Sequence, residues 1–544
     1  MAVEPSSEFN LTQAAVLARY FTNLDRPVFA LRNLPEVVKG ALFSRYSRTE
    51  KSLRRVLLDE FINEPDSGFD ALTTSAADAD DMVAVRRAEE FYERVLVGYG
   101  DDSVAELAGA HVAVERTSTL AAKALEDSRI GISPLEKSTR YVRFDRPGRD
   151  GRFLYHRGPE LAHPDYEPAA DLLFETYSAL IEPLTQAIRE RFPIEEDETD
   201  RAWKAATRAK ALDMLRGLLP AGTLTNLGLF GNGRAFEYLI TKLAAHELPE
   251  CRTLAGDLLR ELSLVIPAFV KRALDERYGA PSAERLVRMR KAMTRLAPRT
   301  GATESAPSVR LIEHDPDAER KVVAAALFPY SDARWEDLQG DASQVLEAAL
   351  SDRANRRQRP PRALEHAQYT FEIVANFAAY RDLHRHRMLT QDRQLLGTAL
   401  GFDVPSGLAE LGRRVPALID IGDRFVAAVE GAARAHANME RDLGAAVAQY
   451  VVPLAYRVRW YFRVNLREIY HLCELRTTPQ GHPDYRWVAQ EMFRRVGEVH
   501  PRLAKYAAFV DMGPGDELER RRSERRLDEK LSALESPTKS EAKL

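Results

Sequence analysis

Residues 362–387 read RALEHAQYTFEIVANFAAYRDLHRHR, and residues 103–129 read SVAELAGAHVAVERTSTLAAKALEDSR. Each stretch has a glutamate near its start, Glu365 in one and Glu106 in the other. In the later stretch Tyr369, Phe371 and Ile373 alternate with a period of two, which predicts a strand. Asn376 then stands where a helix N-cap belongs, with Thr117 or Ser118 in the matching place of the earlier stretch, and a helical run follows each. A second pair lies downstream: LRGLLPAGTLTNLGLFGNGRAFEYLITKL (215–243) and AQYVVPLAYRVRWYFRVNLREIYHLCELR (448–476). Pro220 precedes Asn232 by 12 residues, and Pro453 precedes Asn465 by 12. Each asparagine is followed two residues later by an arginine, Arg234 or Arg467, and then by an amphipathic helix. Two matched elements in the same order predict a tandem duplication whose copies have diverged.

Between the copies, APRTGATESAPS (297–308) is small, polar and proline-bearing, and reads as a linker. After it, Val309, Leu311 and Ile312 predict a short strand, and Pro316 and Asp317 open a helix running to about Leu327. The expected organisation is an N-terminal copy over 1–296, the linker, a C-terminal copy over 309–514 and a charged tail over 515–544. The Gly/Pro/His-rich stretch at about 142–165 reads as a loop-like insertion in the first copy. The tail carries ELERRRSERRLDEK, which suits a solvated helix with Glu–Arg pairs or an exposed, frayed end.

Composition removes several classes of function. The 544 residues exceed one ordinary domain, and 45% of them are apolar, enough for sizeable cores. With 78 basic and 82 acidic residues the net charge is −4, which argues against a nucleic-acid coat. No run approaches the roughly 20 apolar residues that span a bilayer. Cys251 and Cys473 are the only cysteines, which excludes a disulfide framework and a cysteine-built zinc site. The opening MAVEPSSEFN lacks the basic and apolar regions of a secretory signal, so a cytoplasmic location is expected.

Several polar groups stand out chemically. His384, Arg385, His386 and Arg387 form the densest basic cluster, expected at the end of the helix after Asn376. On a helix, arginines two apart point about 200° away from each other, so they suit two different anionic groups. The competing reading is a helix C-terminus enriched in cations. His384 and His386 diverge in the same way, and no metal site is expected. In RIGISPLEKSTRYVRFD (129–145), Glu136, Ser138, Thr139 and Arg140 make a compact polar loop. It could offer amides, a hydroxyl and a guanidinium to a phosphate, or be a turn with a solvated charge pair. Arg216 lies in the apolar run LDMLRGLLP (212–220) and needs a partner, either a ligand phosphate or a protein carboxylate. Arg467 and Arg476 are nine apart on one helix and face opposite sides.

These residues resemble the flavin-dependent thymidylate synthase family. Arg385-His386-Arg387 resembles the Arg-His-Arg that opens its signature, and Glu365-His366 its upstream Glu-His pair. The segment 309–331, ending in Ser331, resembles its first strand and helix, and Asn465, Arg467 and Arg476 match its late Asn-x-Arg…Arg helix. The second copy lacks the serine loop: Arg393, Leu395 and Gly397 stand where the family has Glu, Ser and Arg. The first copy keeps that loop as Glu136, Ser138, Arg140 and Tyr141, and keeps the pre-proline arginine as Arg216, where the second has Gln449. The first copy has lost Arg-His-Arg. Asp382 stands where the family often has glutamine.

The resemblance implies an α+β, helix-rich fold of two tandem copies, each with a small, mainly antiparallel sheet. It implies reductive methylation of dUMP to dTMP with FAD as cofactor, methylenetetrahydrofolate as carbon donor and NADPH as reductant. In the family the nucleotide lies between subunits, so one composite site between the two copies is expected. Ser138 and Arg385 are expected in catalytic roles. Glu136, Ser138, Thr139, Arg140, Arg216, Arg385 and Arg476 are expected at the substrate, and Ser331, Glu365, His386, Arg387, Asn465, Arg467 and His471 at the flavin. The family's four-copy assembly implies a homodimer of duplicated chains. A related pyrimidine C5 methyl- or hydroxymethyltransferase, and a non-catalytic nucleotide-binding homologue, are the alternatives.

Overall fold

The computed structural model describes residues 8–46, 49–63, 106–301 and 306–535. The opening residues 1–7, residues 302–305 of the linker and residues 536–544 of the tail lie outside the described residues. In chain order the elements used below are β1 (Gly109–Ser118), α1 (Thr119–Glu126), β2 (Ile132–Glu136), α2 (Tyr166–Arg191), α3 (Asp200–Leu215), β3 (Leu224–Asn232), α4 (Gly233–Ala244), β4 (Ser308–His314), α5 (Ala318–Leu327), β5 (Gln368–Asn376), α6 (Phe377–Leu383), β6 (Thr390–Arg393), α7 (Ile421–Leu443), β7 (Arg457–Asn465), α8 (Leu466–Arg476), α9 (Pro483–Val499) and α10 (Arg521–Glu535).

The fold is α+β and helix-rich, with two small antiparallel sheets. One sheet has the order β1-β3-β2 and the other β4-β5-β7-β6. The strand after the early glutamate, the strand after the proline and the short third strand therefore take the same order in both copies. In β5 the alternating Tyr369, Phe371 and Ile373 are buried, and opposite them Val464, Phe462 and Trp460 of β7 are buried too. Each such side chain contributes about 1.5–3 kcal/mol when fully buried, which fixes the register of the pair. The strands between each proline and asparagine, β3 and β7, are additions to the predicted elements.

The predicted caps form. Asn232, Asn376 and Asn465 accept hydrogen bonds from the amides of Ala235 (2.8 Å), Ala379 (2.9 Å) and Glu468 (2.9 Å), and Ser118 accepts from Ala121 (3.0 Å). Each cap satisfies a helix amide that would otherwise lack a partner.

By contacts the chain divides into two compact units. The first draws on Met1–Glu115, Ala124–Glu136 and Asn226–Arg299, and the second on Arg116–Lys123, Lys137–Thr225 and Thr300–Leu544. In the first unit β2 pairs with β3 from Ile132 opposite Gly231 to Glu136 opposite Leu227, and Arg234 of α4 bonds Glu106 at 3.0 Å.

The second unit holds the middle of the first half together with the second half, and the matched segments meet there. Pro220 pairs with Pro453 in an antiparallel bridge. Four backbone bonds flank it: Ala221 to Val452 and Gly222 to Tyr450, both 2.8 Å, and Leu454 to Leu219 and Ala455 to Gly217, both 2.9 Å. Proline has no N–H, so these neighbouring amides carry the pairing. Glycine is required at 222, where a Cβ would lie 2.9 Å from the Tyr450 carbonyl oxygen and 2.8 Å from the Tyr166 hydroxyl. Helix α7 is linked to the start of α2 by Asn438, which donates to Asp165, the N-cap of α2, at 2.7 Å.

Two irregular segments are held by tertiary contacts. The insertion is loop-like, as expected, but packed: Tyr155 and Leu161 are buried, and Tyr155 bridges Thr223. The tail is not frayed over its described residues. Leu518 and Glu519 are buried, Lys210 of α3 bonds Glu519 at 2.6 Å, and α10 pairs Arg521 with Glu195 (2.5 Å) and Arg525 with Asp197 (3.0 Å). A highly charged segment docks when its arginines meet a complementary acidic surface, here EEDE at 195–198.

Candidate functional site

In the second unit, Arg216 starts the 3-10 turn Arg216–Leu218 at the end of α3. Its side chain is 3% exposed. Nη1 donates to Asp382 at 2.9 Å, whereas Nε and Nη2 are buried without a hydrogen-bond partner. A carboxylate thus answers one nitrogen, and the opposite edge of the guanidinium, suited to bidentate recognition, is unanswered.

Arg140 stands in the loop after β2. It donates to both oxygens of Asp213 at 2.6–2.9 Å and to the Tyr485 hydroxyl at 3.1 Å. Burial opposes its charge, but Asp213 more than offsets this and holds its pKa above the ordinary value. Ser138 Oγ accepts from the Arg140 amide at 3.2 Å, which leaves its O–H to donate elsewhere. Thr139 is buried beside it. Glu136, at the end of β2, is buried and belongs to the first unit.

The basic quartet does not lie on the helix. α6 ends at Leu383, with His384 as its C-cap, and Arg385, His386 and Arg387 follow in a turn. The 200° divergence expected of a helical pair therefore does not govern them. Asp382, in the last turn of α6, is surrounded by charge from Arg216, Arg385, Arg140 and Arg476. Burial would raise its pKa, but these four arginines hold it well below the usual carboxylate range. Four guanidinium groups thus act on Asp382, and Asp213 pairs with one of them, so the arginines outnumber these two carboxylates.

Arg476 ends α8 and donates from Nε to His386 Nε2 at 3.0 Å. His386 Nδ1 faces Glu468 at 2.8 Å. An acceptor at Nε2 and a donor at Nδ1 require the neutral ring. Burial lowers the His386 pKa to about 4, against the opposing pull of Glu468 and with help from Arg476. Glu468 is held at about 2: burial works against this, and its bonds to His386 and His471 prevail. His471 Nδ1 also faces Glu468, at 3.2 Å, so His386, Glu468 and His471 form one polar cluster close enough to surround a cation.

Arg216, Asp213, Asn376, Asp403, His482 and Asp484 line a cavity of about 50 Å³. His482, the N-cap of α9, lies 3.3 Å from the Asp213 carbonyl through Nε2 and accepts from the Asp484 amide through Nδ1. Burial, with Arg216 and Arg140, lowers its pKa well below the ordinary value, which keeps it neutral. Burial raises the Asp484 pKa, opposed by Arg216 and by the amide of Asn376 at 2.7 Å.

The residues expected at a flavin are partly gathered. Arg467 donates to Glu365 at 2.8 Å and to the Pro360 carbonyl at 2.9 Å. Glu365 lines a cavity of about 300 Å³ with Arg362 and His366, and the His366 ring lies 5.2 Å from Trp335. Ser331, Arg387 and His471 are exposed. The Trp335 and His366 rings thus form an aromatic edge near the Arg362 guanidinium. His386 has both ring nitrogens bonded within the chain, and Asn465 Oδ1 caps α8.

Sequence reasoning missed Asp213, Tyr485, His482 and Glu468. Asp213 left a faint signal, a carboxylate three residues before Arg216 in an apolar helix. The other three act through the chain path and left none.

Residues 58–268 and 310–502 match the family described as thymidylate synthase complementing protein. The chain is 43% identical over 526 residues to a UPF0159 protein of Chlamydia muridarum, covering 94% of this chain and 97% of that protein. It is 30% identical over 215 residues to the flavin-dependent thymidylate synthase of Geobacter sulfurreducens, covering 38% of this chain and 87% of that enzyme. Among solved structures it aligns with the UMP/dUMP methylase PolB from Streptomyces cacaoi bound with 5-Br dUMP. That alignment has 22% identity and a TM-score of 0.31, over 38% of this chain and 97% of that one. Two matched segments spanning most of the sequence make the chain a member of the thymidylate synthase complementing protein family, in duplicated form.

Proposed function

We propose that the protein methylates C5 of dUMP, forming dTMP with methylenetetrahydrofolate as carbon donor, NADPH as reductant and FAD as cofactor, at one composite nucleotide site per chain. The observation that carries this reading is the meeting of Arg140 and Arg216, from the first half, with Arg385 and Arg476, from the second, around the half-buried Asp382 carboxylate. A phosphate monoester matches the positive excess, and the unanswered edge of Arg216 matches two of its oxygens. Ser138 orients the nucleotide through its free O–H, with Glu136 and Thr139 shaping the loop. Arg385 and Arg476 complete the anion seat, and the Glu468–His386 pair keeps Arg476 aimed at it. When bound, flavin supplies the hydride chemistry. Ser331, Glu365, Arg387, Arg467 and His471, with Arg362 and Trp335, are the groups that hold it, and Asn465 orders the helix they share. Two chains are proposed to form the working dimer, in the cytoplasm.

The test combines rescue of a thymidine-requiring host with titration of dUMP into purified protein. Rescue, a yellow protein with a flavin absorption band, and loss of dUMP binding in Arg140→Gln and in Arg385→Gln are expected. Retained binding in either variant would sink the composite site. Binding without rescue would favour a related C5 methyl- or hydroxymethyltransferase if flavin is present, and a non-catalytic binding protein if it is not.

A further inference from the structure

The stretch that matches the family ends at residue 502, yet the chain continues into the nucleotide site. Just before α10 the tail buries Leu518 and Glu519. Glu519 bonds Lys210 at 2.6 Å and lines the same cavity as Arg216 and Asp213. The next residue, Arg520, sets its guanidinium carbon 3.8 Å from the centre of the Tyr141 ring, one residue from Arg140. Its side chain is 11% exposed. Its Nε and Nη1 are buried with no hydrogen-bond partner, and its ion-pair neighbour, Glu524, stands 3.9 Å from Nη1, beyond hydrogen-bond reach.

A stacked, largely buried guanidinium without an acceptor is costly. Arg520 also faces a like charge: burial first, then Arg140, lowers its pKa to about 10. Asp213 already occupies Arg140, so it offers Arg520 no bond. Anchoring the tail does not require this charge, since Leu518, Glu519, Arg521 and Arg525 already fasten it. What the position lacks is an anion.

We propose that Arg520 is a fifth arginine of the nucleotide site, delivered by the C-terminal tail and bonded to the phosphate of the bound pyrimidine nucleotide. This rests on the reading of the arginine cluster as a dUMP site. Tyr141 holds the guanidinium flat, so its free N–H groups are preorganised for phosphate oxygens. Glu519, beside it, is one wall of a cavity of about 50 Å³, smaller than a nucleotide needs.

The test uses the full chain and isothermal titration with dUMP and with deoxyuridine, which lacks the phosphate. Arg520→Gln should weaken dUMP binding about 10-fold or more, the size of a lost charge-assisted bond, and leave deoxyuridine binding unchanged. Arg520→Lys, which keeps the charge and is the safer variant for folding, should fall between wild type and Arg520→Gln. Arg216→Gln run in parallel separates the two ideas. Loss of dUMP binding in Arg216→Gln with wild-type affinity in both Arg520 variants overturns the role of Arg520 alone. No dUMP binding by the wild-type chain overturns the nucleotide reading and this inference with it. Equal weakening toward dUMP and deoxyuridine would make Arg520 a tail anchor and also overturn the proposal.

Discussion

At the scale of single residues, the site is governed by which charges are compensated. Asp382 answers Arg216 with one oxygen and sits amid three further arginines. Asp382→Asn keeps an acceptor for Arg216 and removes a negative charge beside the anion seat. The affinity for dUMP should then rise about 5-fold, most at low salt, as read by calorimetric titration. His386 gives a pH signature. Its folded pKa of about 4 lies below the ordinary histidine value of 6.5, so the unfolded chain takes up the proton first as pH falls. Its neutral burial is therefore fully stabilising above about pH 6.5 and loses roughly 3 kcal/mol of that support by about pH 4. Glu468 acts in the same direction lower down: its support is present above 4.5 and fades as pH falls toward 2. Melting temperature should drop steeply between pH 6.5 and 4, and His386→Asn should flatten that drop.

At the scale of elements, the two halves are joined where the matched prolines cross, and this crossing tolerates no added atoms. Gly222→Ala would push a methyl to 2.9 Å from the Tyr450 carbonyl oxygen, with backbone on the far side that cannot turn away. A loss of about 1–3 kcal/mol is expected in urea unfolding, in line with overpacked interiors. The docked tail is a second element-level device. A chain ending at Gly513 would leave Lys210 without Glu519, and Glu195 and Asp197 without their arginines. Its melting temperature should fall by several degrees, and an unchanged melt would show that the tail contributes no stability.

At the scale of the whole molecule, the proposed reading has the two halves divide one site between them. The serine loop and Arg216 survive in one half, and the Arg-His-Arg turn and Arg476 in the other. A chain organised in this way should bind one dUMP, not two, and equilibrium dialysis at saturation should return a stoichiometry near one per chain. A value of two would overturn the single composite site.

The sequence by itself determined the duplication, the strand after each glutamate, the asparagine caps and the family. These are local features: a period of two and a cap bond to the third residue on are written within a few neighbours. Among the described residues, tertiary structure alone decided the rest. Arg385 to Arg387 lie beyond the end of α6 because that helix stops at Leu383, which no propensity in the run RDLHRHR dictates. Arg140 meets Tyr485 across 345 residues of chain, and α10 finds its acidic partners across more than 320. Such pairings depend on the path of the backbone through space, so a sequence can hold four arginines that act on one carboxylate without disclosing it.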